Sequence, residues 1–321
     1  MNLTRRAVLG ACLTLPFARA AKAAFPDRSI RMLVGFPAGT APDLVARLLA
    51  DALKDAWPAG VVVENRPGAA GHIAAAEASR AAADGYNLLF SEIGQIAMAP
   101  STFARLTYDP KDLAPIARVV TSDFALVVPA SLPVADLDGF VAWARQRPTT
   151  FFGTFGPGTL GHFGAVMLAA QSGFSQESVH FRATGEGMTA LLNGDVQGLF
   201  GSVALVAPHV RAGRLKALAV TGPQRSALLP DVATMAQLGR PGLEFEAWFG
   251  VTAPVAVPAA TQVELEGPIL RALANPAVRS RLQEAGFTPA PQNREAFAAT
   301  IRADTARWAQ VVRETGFRAL E

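Results

Sequence analysis

Four histidines carry most of the metal or acid–base chemistry that this chain could offer. His72, His162, His180 and His209 stand too far apart for a His-x-x-x-His pair, and none has a Cys/His partner at metal-ligand spacing. There is no Gly-x-Ser-x-Gly elbow to present a serine nucleophile. The single cysteine, Cys12, falls within the first two dozen residues, so thiol catalysis is not expected of the remainder. The sequence therefore predicts no catalytic residue, no metal site and no cofactor.

Glycine-rich stretches at strand ends are more informative. Gly153-Thr-Phe-Gly156-Pro-Gly158 lacks the G-x-G-x-x-G order, and the acidic residue about 20 positions on, that a dinucleotide fold requires. The overlapping stretch Phe155 to His162 leads instead from a strand into a helix. Backbone N–H groups around Gly156 and Gly158, with the Thr159 hydroxyl, could hold a carboxylate there without any lysine; equally, Thr159 and His162 could simply cap the helix. Phe181 to Gly187 repeats the arrangement. Arg182 offers a bidentate donor pair and Thr184 with Gly185 a hydroxyl and an approachable N–H, the alternative being a surface Arg182 paired with Glu186. Nearer the start, Phe36-Pro-Ala-Gly39-Thr40-Ala-Pro-Asp43 reads as a helix entry, with Thr40 as N-cap, Pro42 in the first turn and Asp43 as a variant capping-box acid. Phe36, Phe155 and Trp248 are candidates for an apolar wall or for core.

These loops must be positioned by alternating short apolar runs and longer alanine- and leucine-rich segments, the pattern of strands joined through helices in a parallel α/β sheet. One series runs Ile30–Phe36, a helix to about Ala56, Val61–Glu64, a turn at Arg66–Gly71, a helix to about Ala83, and Asn87–Phe90. A second contains Thr150–Phe152, Ser178–Phe181, Gln197–Phe200 and Leu215–Val220. Phe124–Val128 and Phe245–Thr252 bracket it and are expected to be the two crossings between lobes. The helices Gln262–Ala274 and Arg294–Glu314 are expected to return to the first lobe. The predicted architecture is α/β and two-lobed. Residues 24–123 plus 253–321 form domain 1, residues 124–252 form domain 2 with the crossover strands, and a central cleft can open about a hinge.

Half of the 321 residues are apolar and only 17% are charged, which excludes a disordered chain. Residues 1–23, with Arg5-Arg6, a short apolar run and Ala21-Lys-Ala23, read as an export signal of twin-arginine or ordinary secretory type. Its removal takes Arg5, Arg6, Arg19 and Lys22 from the 29 basic residues, leaving 25 against 26 acidic ones. The mature chain is thus near neutral, and no basic run interleaved with aromatics points to nucleic acid.

Several stretches together resemble the Bug proteins, the periplasmic receptors of the tripartite tricarboxylate transporter system. They are Phe36 to Asp43 followed by Ala46-Arg47, Val63-Glu-Asn-Arg-Pro-Gly-Ala-Ala-Gly71, Asp84-Gly-Tyr86, Leu106-Thr-Tyr-Asp-Pro110, and Val206 to Val220. The resemblance implies a type II-like periplasmic binding fold, expected to be monomeric and free of cofactor. It would close on a small organic acid and present it to membrane permease subunits; a ligand-binding partner of a membrane signalling protein is the alternative. It also implies that the Phe36–Asp43 loop holds the carboxylate, partly through water. Phe155 to His162, Arg182 to Gly185 and Gly201-Ser202 would then set ligand identity. Two departures from the family pattern stand out: Thr40 with Pro42 where a second glycine is usual, and the stretch Ser91-Glu92-Ile-Gly-Gln95. There Glu92 either repels a second carboxylate and pairs with a ligand donor, or turns to solvent.

Overall fold

A computed structural model describes residues 25–321; the export segment expected at 1–23, with Cys12, lies outside the described residues. The first lobe starts with two strand–helix units, β1 (Ile30–Val34), α1 (Ala41–Ala52), β2 (Val61–Asn65) and α2 (His72–Ser79), followed by β3 (Asn87–Glu92). β1 pairs in parallel with both β2 and β3. A π-helical turn, Gly94–Met98, and the short helix α3 (Ala99–Thr102) lead towards β4 (Leu113–Pro129).

β4 alters the expected topology. A strand was expected only over Phe124–Val128, because Pro115 and Arg118 interrupt the apolar pattern before it, yet the strand spans 17 residues. Its first part, Leu113 to Asp123, pairs antiparallel with β9 (Glu246–Pro254), and its second part, Phe124 to Pro129, pairs with the second lobe. Tertiary pairing overrides a weak local signal here. β9 also pairs with β3 through Phe249 to Thr252, so residues expected in the second lobe are hydrogen-bonded into the first-lobe sheet. Each sheet is consequently mixed rather than parallel.

The second lobe contains α4 (Leu137–Arg145), β5 (Thr150–Thr154), α5 (Leu160–Ser172), β6 (Gln176–His180), α6 (Thr184–Asn193), β7 (Gly198–Ser202), α7 (Val203–Arg211) and β8 (Leu215–Val220). β5 lies between β6 and β7, which leaves β6 at the sheet edge. Beyond β9 come α8 (Ala259–Ala274), then α9 (Pro276–Glu284) and β10 (Thr288–Gln292), two elements absent from the sequence expectation, and α10 (Arg294–Glu314). The Asn275 side chain accepts from Ala277 N–H to cap α9, and β10, with two prolines, pairs with β4 through a bulge.

The buried ring of Trp308 on α10 packs against Phe163 of α5 and Phe245 at the second crossing. The last helix thus touches both lobes. The two crossings are joined by Thr221, fully buried at the end of β8. Its hydroxyl donates to Phe245 O at 2.6 Å and accepts from Phe124 N–H at 3.0 Å.

Candidate functional site

Between the lobes lies a cavity of about 390 Å³, lined from both sheets and from the crossing strands. A groove of about 420 Å³ between Pro129, Trp143 and Arg147 belongs to the second lobe alone. The interlobe cavity is where strand ends converge. Ala41 opens α1, His72 opens α2, Leu160 and Gly161 open α5, and Ser202 is the residue before α7; all five line it. Four helix N-termini therefore face one space. Their aligned peptide dipoles and the N–H groups left unpaired there favour an anion, although the His72 N–H already donates to Ala69 O; no lysine or arginine lines the cavity among the described residues.

The turn at the first of these termini is built by Asp43. Its buried carboxylate accepts from Gly39 N–H at 2.8 Å, Asn65 Nδ2 at 2.8 Å and Arg47 Nε at 3.0 Å. Burial alone would raise its pKa, but Arg47, Gly39 and Asn65 together hold it below the usual carboxylate value. The Asn65 amide also donates to Phe36 O at 3.0 Å, tying the end of β2 to the loop. Gly39, at φ +82°, supplies the left-handed residue the turn needs. Thr40 occupies the N-cap position, but its hydroxyl donates to Pro37 O at 2.6 Å instead of capping α1. Gly39, Thr40 and Asp43 thus shape the turn without lining the cavity, while Phe36 and Ala41 do line it. The Ala41 N–H has no hydrogen-bond partner among the described residues.

β3 runs on to Glu92, and its alternation of side chains separates two of the expected site residues. Ser91 points away and donates to Gly250 O at 3.1 Å, whereas Glu92 faces the cavity. Gln95 is fully buried; it donates to Gly71 O at 2.8 Å and accepts from Glu92 N–H at 3.0 Å. A Cβ at Gly35 or Gly71 would approach Gln95 Nε2 within 2.7 and 2.5 Å, so both glycines are required by this clamp. Neither Ser91 nor Gln95 lines the cavity. Burial pushes the Glu92 carboxyl up to about 7, partly offset by the backbone of Gly94.

In the second lobe, Phe155, Gly158, Thr159 and Ser202 reach the cavity. Gly156, at φ +130°, supplies the carbonyl that accepts from the Thr159 hydroxyl at 2.9 Å, and Gly158 N–H donates to His162 Nδ1 at 3.1 Å. His162 lies behind the loop, edge-on to His180 at 5.1 Å, where burial and His180 push it down to about 4. It braces the loop in its neutral form and does not line the cavity. Arg182, Thr184 and Gly185 are exposed and outside the cavity. They follow β6 at the edge of the sheet, and none of the three lines the cavity. Trp248 is core, its Nε1 donating to Asp304 at 2.8 Å.

Sequence reasoning missed His72, Thr102, Phe103, Ser122, Phe124 and Phe249. The last three stand on the crossing strands, and only the pairing of β4 with β9 brings them beside the strand ends.

A family model described as the tripartite tricarboxylate transporter family receptor matches residues 45–317. Protein BugT of Bordetella pertussis is 34% identical over 322 residues, covering 98% of this chain and 99% of BugT. Among solved structures, R. palustris Rpa4515 with adipate superposes with a TM-score of 0.83 at 28% identity, covering 92% of this chain and 100% of that one. MatC from Rhodopseudomonas palustris with bound malate gives a TM-score of 0.76 at 27% identity, covering 90% of this chain and 100% of that one.

Proposed function

The chain belongs to the tripartite tricarboxylate transporter receptor family, and from that membership we propose that it captures a small organic acid between its lobes and delivers it to the permease subunits of such a transporter. Its relatives are periplasmic solute-binding receptors, not enzymes. The observation that carries the ligand assignment is the convergence of four helix N-termini on a cavity without cationic side chains. Backbone donors alone can hold one carboxylate there. Adipate and malate in two structural neighbours support the same chemistry.

In this reading the ligand meets the Ala41 N–H and the Ser202 hydroxyl, with Thr159, Phe36 and Phe155 as walls. The chain acts as a monomer, and residues 1–23 deliver it to the periplasm by the twin-arginine or the ordinary secretory route. The two lobes move about the crossings at Asp123–Phe124 and Phe245–Glu246. A thermal-shift screen over aliphatic diacids, aromatic acids and amino acids tests the reading. Binding at about 100 times Kd stabilises the folded state by about 2.7 kcal/mol and raises Tm by a few degrees. A flat response to every carboxylate would overturn it.

A further inference from the structure

The cavity walls are more apolar, and their charge more one-sided, than simple capture of an organic acid requires. Six phenylalanines line the space: Phe36 and Phe103 from the first lobe, Phe155 and Phe200 from the second, and Phe124 and Phe249 from the crossing strands. Phe36, Phe103, Phe124 and Phe155 are only half-buried, with ring surface still to be covered. Among the described lining residues one side chain is a carboxylic acid, Glu92, and none is a lysine or arginine to pair with it.

Resting on the carboxylate reading above, we propose that Glu92 is the specificity-determining residue of the cleft. It selects an aromatic monocarboxylate whose far end carries a hydrogen-bond donor, and it rejects dicarboxylates of the same shape. Glu92 ends β3, which pairs with β1, the strand that leads to the turn before α1, so Glu92 and Ala41 line the cavity from the same lobe. One anionic group of the ligand is satisfied by the helix N-termini. A second would meet Glu92 in an enclosure of low dielectric with no cation between them, where like charges interact strongly. A phenol or an amine at that position donates to Glu92 and removes the repulsion.

Beyond the backbone hydrogen bond from Gly94, the groups around Glu92 leave its carboxyl available for this role. Tyr108 donates its hydroxyl to Gln95 O at 2.6 Å, and Gln95 is held by Gly71, so neither competes for the Glu92 carboxyl. His72 sits edge-on to Phe103 at 4.3 Å and is kept neutral by burial. With its carboxyl pushed up to about 7, Glu92 is ionised at pH 8 and is an acceptor only.

The test is calorimetric titration at pH 8 with phenylacetate, 4-hydroxyphenylacetate, 4-carboxyphenylacetate and adipate, on the mature wild-type receptor and on Glu92→Gln. The wild type should bind 4-hydroxyphenylacetate about tenfold or more tighter than phenylacetate, the range for a hydrogen bond to a charged partner, and 4-carboxyphenylacetate weakest. In Glu92→Gln, whose amide both donates and accepts, the order of the hydroxyl and carboxyl ligands should reverse. Phenylacetate binding reports that the variant is folded; should the variant not fold, the wild-type order decides alone. Equal or tighter wild-type binding of 4-carboxyphenylacetate would overturn the proposal, as would binding of adipate with no aromatic acid bound, which leaves the carboxylate-receptor reading intact. Failure of all four ligands would overturn the proposal and leave the carboxylate-receptor reading to the broader thermal-shift screen.

Discussion

Asp43 uses both of its carboxylate oxygens within its own turn, on Gly39, Asn65 and Arg47, and is almost completely buried. Replacing one oxygen by an amide nitrogen sets N–H against N–H. Asp43→Asn is therefore expected to destabilise the fold by about 1–3 kcal/mol, a Tm loss of a few degrees, because a buried hydrogen-bond network is broken. The pKa of Asp43 is lowered in the folded state, so its contribution is fully present above the unfolded carboxylate value and fades as the pH drops below that value. The Tm difference between wild type and variant should accordingly shrink on strong acidification. Affinity for a carboxylate ligand should change little once the variant is kept below its Tm, since Asp43 does not line the cavity. An unchanged Tm with a large loss of affinity would instead make Asp43 a direct contact. Glu92, two strands away from β2 and facing the cavity, has the opposite character: few partners and an open side.

Strands and helices decide which of these residues meet. Regular apolar periodicity makes β8 (Leu215–Val220) and α10 (Arg294–Glu314) legible in the sequence to the residue. The first half of β4 is not, because a strand containing Pro115 and Arg118 owes its form to β9 beside it. The same limit governs the site. Phe36, Phe155, Thr159 and Ser202 are recognisable as strand-end residues and do reach the cavity, but strand order is not written locally. Hence Arg182 to Gly185, which follow the edge strand β6, look equivalent to Phe155 to His162 until the sheet is assembled. Thr221, unremarkable in sequence, joins the two crossings. Thr221→Val keeps the shape but leaves the Phe124 N–H and Phe245 O without their buried partner, which should cost about 1–3 kcal/mol. Hydrogen exchange should show faster exchange at Phe124 and Phe245 than at the core of β1. Unchanged protection at both crossings would show that the ladder pairs alone define the hinge.

At the scale of the whole molecule, the two lobes are linked by strands that carry a carboxyl pair at the crossing. Asp123 of β4 stands in register with Glu246 of β9, and its Oδ1 is buried without a partner among the described residues. Burial first, then hydrogen bonding and repulsion from Glu246, push Asp123 up to about 7. Asp304 on α10, also raised by burial, Arg118 on β4 and Arg307 on α10 complete the charged surroundings. Ser122 and Phe124, on either side of Asp123, line the cavity, so the pair lies at the proposed hinge. Because the folded pKa exceeds the unfolded one, the native state binds the proton more tightly between about pH 4 and pH 7. Asp123 therefore makes stability fall as the pH rises through that window and contributes no further slope above it. Asp123→Asn, which gives Glu246 a permanent neutral donor, should raise Tm at pH 8 relative to wild type and leave Tm at pH 5 nearly unchanged. Glu92 adds slope of the same sign and His162 slope of the opposite sign, but both are present in the two proteins and cancel in the difference. An offset between variant and wild type that is the same at pH 5 and pH 8 would show that no proton is shared at the hinge.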